Sequence, residues 1–345
     1  MKKIKCIAAA VFSMVMMQPS YGQDPSFSQF FSSPLNVNPA LTAKINSDWR
    51  LISNFRDQWV GIASSPYVTG TISFDSKVFQ NKDPNYSDDN NYVGLGGMLM
   101  YDNAMSGVVK STYASADLSY NIKLSEWGDT KQRLGVGFGA TYGRRHVDFN
   151  GVTFEEQFTG NGFNTNLPTG ESALSNMKPY ISVSVGFLYS LSTEKSNLDI
   201  GVAEFHLDRP KQTFLEDENQ RLQPRKVVHA NFETFLNESV VLNTNAIYQY
   251  QSEAKYFSVG GSLGYYLGDA GNPANPLLNG GVWYWSDNAV IPYIGLAYGS
   301  FQFGFSYDIT TSKLSQATRR PNTWEFSMIL RGVTKSSGFI PCPWK

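Results

Sequence analysis

The residues with the clearest chemical potential are three histidines, two of which lie close to an acidic residue. His146 is followed by Asp148, and His206 is followed by Asp208. An imidazole beside a carboxylate is the pair with which a hydrolase activates a serine. Such pairs also arise by chance in loops, and none of the histidines has the HExxH spacing of a zinc site. The sequence therefore predicts no catalytic residue, no metal site and no cofactor.

A second candidate is the run of Gly135, Gly137 and Gly139, which could suggest a phosphate-binding loop. These glycines alternate with Leu134, Val136 and Phe138, a pattern typical of a β-strand. Small residues on the inner face of a strand explain them better, because glycine in a strand often marks a close approach. The chain has no P-loop motif of the form GxxxxGK[ST].

The composition excludes several classes of protein. Of 345 residues, 41% are hydrophobic, 14% are aromatic and 17% are charged, whereas a soluble domain carries about 25% charged residues. The aromatic content argues against disorder. The formal net charge of −1 argues against a nucleic-acid partner.

The first 22 residues have the layout of a secretory signal peptide. Lys2, Lys3 and Lys5 precede an apolar stretch over 7–17, and a helix breaker and small residues lead to a cleavage site after Gly22. The apolar stretch is too short to span a membrane as a helix. Cleavage removes Cys6 and leaves Cys342, so no intramolecular disulfide is expected.

Polar and apolar side chains alternate through most of the remaining chain, which indicates strands with two unlike faces. We count about fourteen such segments of around ten residues. That length suits a tilted strand that crosses a bilayer, whereas soluble strands average about five or six residues. The sequence therefore predicts an all-β fold, a transmembrane antiparallel β-barrel of about 14 strands. A soluble β-sandwich or propeller is the alternative.

The connections sort into two sets if both termini lie in the periplasm. The connections expected outside are 57–66, 146–178, 208–226 and 310–322, and the short turns expected inside are 193–196, 237–239 and 298–300. Long outer loops and short inner turns are typical of such barrels. The segment 77–90 departs from this rule, which indicates either contact with a partner or an error in the strand count.

Two arginines fall on the inner face of the first predicted strand. Arg50 and Arg56 alternate with Leu51 and Phe55. A charge there is costly unless water or a carboxylate accompanies it. We therefore expect both arginines in a polar lumen or at its mouth.

The segment before the first strand is rich in apolar and turn-forming residues. Its prolines, with Asn38 before Pro39, predict an ordered strap instead of a strand. Its apolar side chains need burial, either in the lumen or against a partner. The residues expected to make these contacts are Phe27, Phe30, Phe31, Leu35, Asn38, Pro39 and Leu41. The predicted organisation is a signal peptide (1–22), the strap (23–46), the barrel (47–332) and a tail (333–345).

Both ends of the chain carry recognisable motifs. Residues 23–31 read QDPSFSQFF, residues 34–42 read PLNVNPALT, residues 54–59 read NFRDQW, and residues 340–343 read IPCP. These motifs closely resemble the PorP/SprF family of outer-membrane proteins of the type IX secretion and gliding machinery. The resemblance is specific at the two ends and loose in the middle.

This resemblance implies a non-enzymatic outer-membrane barrel that supports export or surface attachment of large adhesins. The implied partners are membrane lipid, cargo with a type-B C-terminal sorting domain, and periplasmic ring or peptidoglycan-anchor components. It also implies that the strap and the tail are periplasmic, with the strap plugging the barrel or docking at its base. A passive channel for small solutes and a barrel lipid hydrolase are the alternatives.

Overall fold

The computed structural model describes residues 23–61, 66–79, 91–148, 152–170, 177–213, 220–270, 272, 274–313 and 321–332. The predicted signal peptide and the predicted tail, with Cys342, lie outside the described residues. Within the described part of the chain, no helix is long and apolar enough to cross a membrane.

Fourteen antiparallel strands form one closed barrel, in which each strand pairs with its neighbours in sequence and β1 pairs with β14. The strands are β1 (Trp49–Val60), β2 (Tyr67–Val78), β3 (Tyr92–Ala104), β4 (Val109–Trp127), β5 (Thr130–Val147), β6 (Tyr180–Ser192), β7 (Ser196–Phe205), β8 (Arg225–Phe235), β9 (Val240–Gln251), β10 (Ala254–Tyr266), β11 (Leu277–Trp285), β12 (Ala289–Tyr298), β13 (Phe301–Thr310) and β14 (Asn322–Arg331). The predicted transmembrane barrel is therefore confirmed.

Each strand has one apolar face outside, and the inner faces are mostly polar or small with apolar side chains on some strands. On β3, Leu95 and Leu99 are exposed, whereas Met98 and Met100 are buried in the lumen. Hydrocarbon offers no hydrogen bonds, so a sheet that spans a membrane must close and leave no unpaired edge. The barrel meets that requirement, because β1 pairs with β14 along its length, for example at Phe55 and Phe326.

The two ends of the barrel differ in the length of their connections. We call the end where β1 finishes the mouth and the end where β1 begins the base. The long β5–β6 and β7–β8 connections lie at the mouth, and the β6–β7, β8–β9 and β12–β13 turns lie at the base. The β2–β3 connection also lies at the base, and residues 80–90 of it lie outside the described residues. This asymmetry favours an outward-facing mouth.

Among the described residues, short helices lie in the strap and the connections. The strap contains α1 (Pro34–Val37) and the 3-10 turns Phe30–Ser32 and Pro39–Leu41. Two further 3-10 turns, Met105–Gly107 and Glu155–Gln157, lie in connections at the mouth.

The lipid-facing side chains should tolerate charge according to their depth in the membrane. Leu99 lies near the middle of β3 and Leu124 near the base end of β4, and both are about half exposed. We expect Leu99→Arg to lower the free energy of unfolding by about 2–4 kcal/mol and Leu124→Arg by less than about 1 kcal/mol. Denaturant unfolding in lipid vesicles measures both. Equal losses at the two positions would contradict this assignment of membrane depth.

Candidate functional site

The strap runs through the lumen from the mouth to the base. At the mouth, the Asp24 amide donates to Gln251 Oε1 at the end of β9 (3.0 Å). Near the base, the Ala43 amide donates to Asp75 Oδ2 of β2 (2.7 Å). The strap thus lies inside the barrel and not beneath it, and its first described residues are at the mouth. Its many apolar side chains explain this position, because the lumen buries them.

Proline and asparagine shape the strap into short helical turns. Pro34 begins α1 and Pro39 begins the next 3-10 turn, where a missing amide hydrogen costs nothing. The Asn38 side chain caps that turn by accepting from the Ala40 amide (2.8 Å). These turns satisfy part of the strap's backbone internally, which suits a segment held away from water.

The apolar strap residues named from the sequence pack against two separate parts of the wall. Phe30 belongs to a buried cluster with Trp283, Ile291 and Tyr293 of β11 and β12, against which Phe31 and Leu41 also pack. Across the lumen, Phe27 and Leu35 pack on Met98 and Met100 of β3. The strap therefore reaches across the width of the lumen as well as along its length.

Asn38 is held in a socket between β6, β7 and β8. Its Nδ2 donates to the carbonyl oxygens of Phe187 (3.1 Å) and Val202 (3.3 Å) and lies 3.0 Å from His229 Nε2. The Asn38 side chain is buried, and Pro39 beside it is buried as well. Because the Asn38 side chain contacts three wall residues at the same level of the barrel, it fixes the position of the strap along the lumen.

Glycines in the wall leave room for this socket. A Cβ at Gly186 would overlap the Asn38 side-chain oxygen, and a Cβ at Gly137 would overlap the Pro39–Ala40 peptide. A Cβ at Gly201 would approach Asn38 Nδ2 to 2.8 Å. At Gly137 and Gly186 the strap therefore comes too close to the wall for any side chain, and at Gly201 the His229 ring and Asn38 fill that space.

In the mouth half, Arg56 organises the carboxylates that bind the strap. It contacts Asp308 Oδ2 and Glu325 Oε2, each at 2.9 Å, and is 2% exposed. Glu325 accepts from the backbone amides of Ser28 (2.8 Å) and Gln29 (2.9 Å). One carboxylate thus holds two successive amides while the guanidinium compensates its charge.

In the base half, Arg50 has the same role. Its Nε and Nη2 donate to the two oxygens of Asp75 at 3.0 and 2.6 Å, and Asp75 Oδ2 also accepts from the Ala43 amide. Lys44 Nζ lies 3.6 Å from Asp199 Oδ1. Arg50 and Arg56 are therefore both buried and paired, one near each end of the strap.

Asp24 forms the contact nearest the mouth. Its Oδ2 lies 2.8 Å from His206 Nε2 and 3.0 Å from Arg225 Nε. Burial by itself raises the pKa of the Asp24 carboxyl, but His206 and Arg225 together hold that pKa below its ordinary range. Asp24 is therefore an ionised carboxylate bound between cationic and hydrogen-bonding groups.

The histidine–aspartate pair proposed from the sequence for hydrolysis belongs to this cluster. Ser182 Oγ lies 2.8 Å from His206 Nδ1 and donates to Asp208 Oδ1 at 3.0 Å. Ser182 is 2% exposed, and the other imidazole nitrogen of His206 faces Asp24. In this arrangement the group anchors the strap. His146 and Asp148 lie where β5 ends, and the described residues contain no cluster of His, Cys, Asp and Glu that could hold a metal ion.

Sequence reasoning did not identify Asp24, Ser28 and Gln29 as the residues that the wall binds. The sequence did contain a signal for the wall side of these contacts. Asp308 and Glu325 lie at positions of β13 and β14 that face the lumen, and a buried charge needs a partner. Their pairing with Arg56 depends on β1 meeting β14, a contact between residues 269 positions apart.

The Asn38 socket generates a steric prediction. Gly186→Ala should displace the strap or destabilise the barrel by about 1–3 kcal/mol, as overpacking does. Gly280→Ala is the matched control, because a Cβ there meets nothing within 4 Å. Protease cleavage within the strap and denaturant unfolding measure the two effects. An unaffected Gly186→Ala chain would contradict the socket.

The buried ion cluster generates an electrostatic prediction. Glu325→Gln leaves Arg56 with one buried carboxylate and should lower the free energy of unfolding by about 3 kcal/mol. The exposed pair of Lys123 and Glu126 provides the control, and Glu126→Gln should cost less than about 1 kcal/mol. Denaturant unfolding in detergent compares them, and similar small losses would argue against a structural role for the cluster.

Comparison with known protein families gives one match over most of the chain. Residues 20–330 match the family described as Type IX secretion system membrane protein PorP/SprF. No match is found among curated proteins.

Among solved structures, several membrane proteins match the chain at low identity. The toluene transporter TodX of Pseudomonas putida is 10% identical with a TM-score of 0.44, over 90% of this chain and 93% of TodX. A FadL homologue of Pseudomonas aeruginosa is 10% identical with a TM-score of 0.44, over 85% of this chain and 91% of the homologue. CdiB of Acinetobacter baumannii is 9% identical with a TM-score of 0.40, over 82% of this chain and 60% of CdiB. Since the family match covers most of the sequence, this outer-membrane β-barrel belongs to the PorP/SprF family of type IX secretion system membrane proteins.

Proposed function

We propose that this barrel supports secretion, surface attachment or both for large adhesin-type cargo of the type IX system, without enzymatic activity of its own. The observation that supports this proposal is a lumen occupied by the strap from Asp24 at the mouth to Ala43 near the base. A lumen filled in this way is unsuited to solute passage, so the working surfaces are the mouth, the base and the strap.

The two ends suit different partners. The long connections at the mouth offer a surface to cargo outside the cell, and we infer that this cargo carries a type-B C-terminal sorting domain, as the family resemblance implies. The base faces the periplasm in this orientation, where ring or peptidoglycan-anchor components would bind. Membrane lipid covers the apolar outer face between them.

Loss of the chain should remove its cargo from the cell surface. We expect a deletion strain to lose surface display of at least one large adhesin, as measured by antibody labelling of intact cells, and a plasmid copy of the gene to restore it. Total adhesin in lysates controls for expression. Undiminished display of all such cargo would contradict the proposed function.

A passive channel for small solutes is the second candidate, and one observation favours it. A cavity of about 70 Å³ lies beside the strap, lined by residues that include Phe31, Leu41, Asn231 and Asn245. The cavity is lined partly by apolar strap residues and partly by polar groups of the wall. It provides room for water next to the strap.

Conductance distinguishes the two candidates. We expect the full chain in planar bilayers to show little conductance, because the strap fills the lumen, and removal of 23–46 to produce a much larger one. The Gly280→Ala chain serves as a control for handling and insertion. Equal, large conductance with and without the strap would favour the channel.

A further inference from the structure

The first residues of the strap are bound as a separate peptide would be. The fourteen strands close the barrel without them. Within residues 23–29, here called the N-terminal segment, the hydrogen bonds to the rest of the strap are Asn36 Nδ2 to the Pro25 oxygen (3.4 Å) and the Ser32 amide to the Gln29 oxygen (2.8 Å). Apart from the packing of Phe27 beside Leu35 of the strap, the other contacts that hold the segment are made by the barrel wall.

The wall recognises three chemical features of this segment. Arg225, His206 and Gln251 bind a carboxylate, that of Asp24. Three residues later, Phe27 enters the apolar site formed with Met98 and Met100.

The third feature is a hydroxyl followed by an amide side chain. Asp308 accepts from the Ser28 hydroxyl (2.8 Å), and Ser306 Oγ accepts from Gln29 Nε2 (3.0 Å). Glu325 at the same time binds the two backbone amides of these residues. Side-chain and backbone contacts combined in this way amount to recognition of a sequence.

The part of the wall that binds the N-terminal segment is poorly suited to being empty. Arg225 and Glu325 are both buried. Without the segment, Arg225 would lose the Asp24 carboxylate, and a buried charge that loses its partner is strongly destabilising. Glu325 would keep Arg56 but lose two amide donors. If the N-terminal segment left, these groups would favour a replacement that offers the same carboxylate and the same backbone amides.

The segment can leave without movement of the rest of the strap. Asn38 and Ala43 anchor the later residues independently. With the signal peptide removed, as the sequence predicts, the N-terminal segment is a chain end at the mouth. Its tether gives it an effective concentration in the millimolar range, so a competitor must itself be held at the mouth.

We propose that the mouth half of the lumen is a peptide-binding cleft, which the chain fills with its own residues 23–29. In their place it accepts an extended segment of an exported protein with a carboxylate, an aromatic ring three residues later, and a hydroxyl and an amide after the ring. This inference rests on the proposed function, because the type IX cargo held at the mouth supplies the competing segment.

Peptide binding to the full chain tests the cleft directly. The probe is a fluorescent peptide of residues 23–29, and anisotropy in detergent measures its affinity. Asp24→Asn with Phe27→Ala should loosen the chain's own segment, so that this variant binds the probe at least tenfold more tightly than the unaltered chain. Absence of saturable binding to the variant would overturn the proposal.

Specificity is tested with one further pair of variants in the same background. Arg225→Gln should abolish the preference for the probe over a peptide with asparagine at the position of Asp24. Arg209→Gln, at an exposed position, should leave that preference unchanged. Equal binding of the two peptides before any Arg225 substitution would overturn the carboxylate requirement.

A reversible lock tests the role of the cleft in cells. Ser26 Oγ and Gln249 Nε2 are 3.4 Å apart, so Ser26→Cys and Gln249→Cys can be joined by a short reducible thiol crosslinker in a Cys342→Ser background. Adhesin expression is induced after crosslinking. We expect the lock to prevent surface display, a reducing agent to restore it, and each single-cysteine chain to display normally.

The outcomes separate the two proposals. Loss of display in the deletion strain together with normal display in the locked strain would overturn the cleft and keep the proposed function. Normal display in the deletion strain would overturn the proposed function itself, and the peptide measurement in detergent would still decide whether the cleft exists.

Discussion

The constraint on which the whole structure depends is the absence of hydrogen-bonding partners in hydrocarbon. It requires every strand to pair on both sides, so β1 must meet β14 and the sheet must close. Closure creates an interior as well as an exterior. In this protein the interior is occupied by the strap, which brings apolar rings to two opposite parts of the wall.

The polar groups that bind the strap are expensive to bury. Arg50 with Asp75, and Arg56 with Asp308 and Glu325, are buried ion pairs whose carboxylates also accept strap amides. Such pairs contribute little net stability compared with apolar packing. An occupant that gives their carboxylates no amide donors is disfavoured, because buried acceptors are then left unsatisfied. This arrangement favours specificity, because an occupant of the cleft must supply the matching groups.

Much of the fold was predictable because strand geometry is local. Between Leu134 and Tyr142, larger apolar residues alternate with glycine and threonine. This pattern shows which side chains face lipid, since successive residues of a strand point to opposite faces. The same pattern placed Arg50 and Arg56 on the inner face. The contact of Gln29 with Glu325 could not be predicted in this way, because one residue lies in the strap and the other in the last strand.

The sequence by itself determined the strand count, the two faces of each strand and the apolar character of the strap, because these properties depend on neighbouring residues. Only the tertiary structure decided that the strap threads the lumen with Asp24 at the mouth, and that Gly186 leaves room for Asn38. The physical reason is that closing the barrel and filling its lumen unite residues far apart in the chain. Side-chain periodicity carries no information about such pairs.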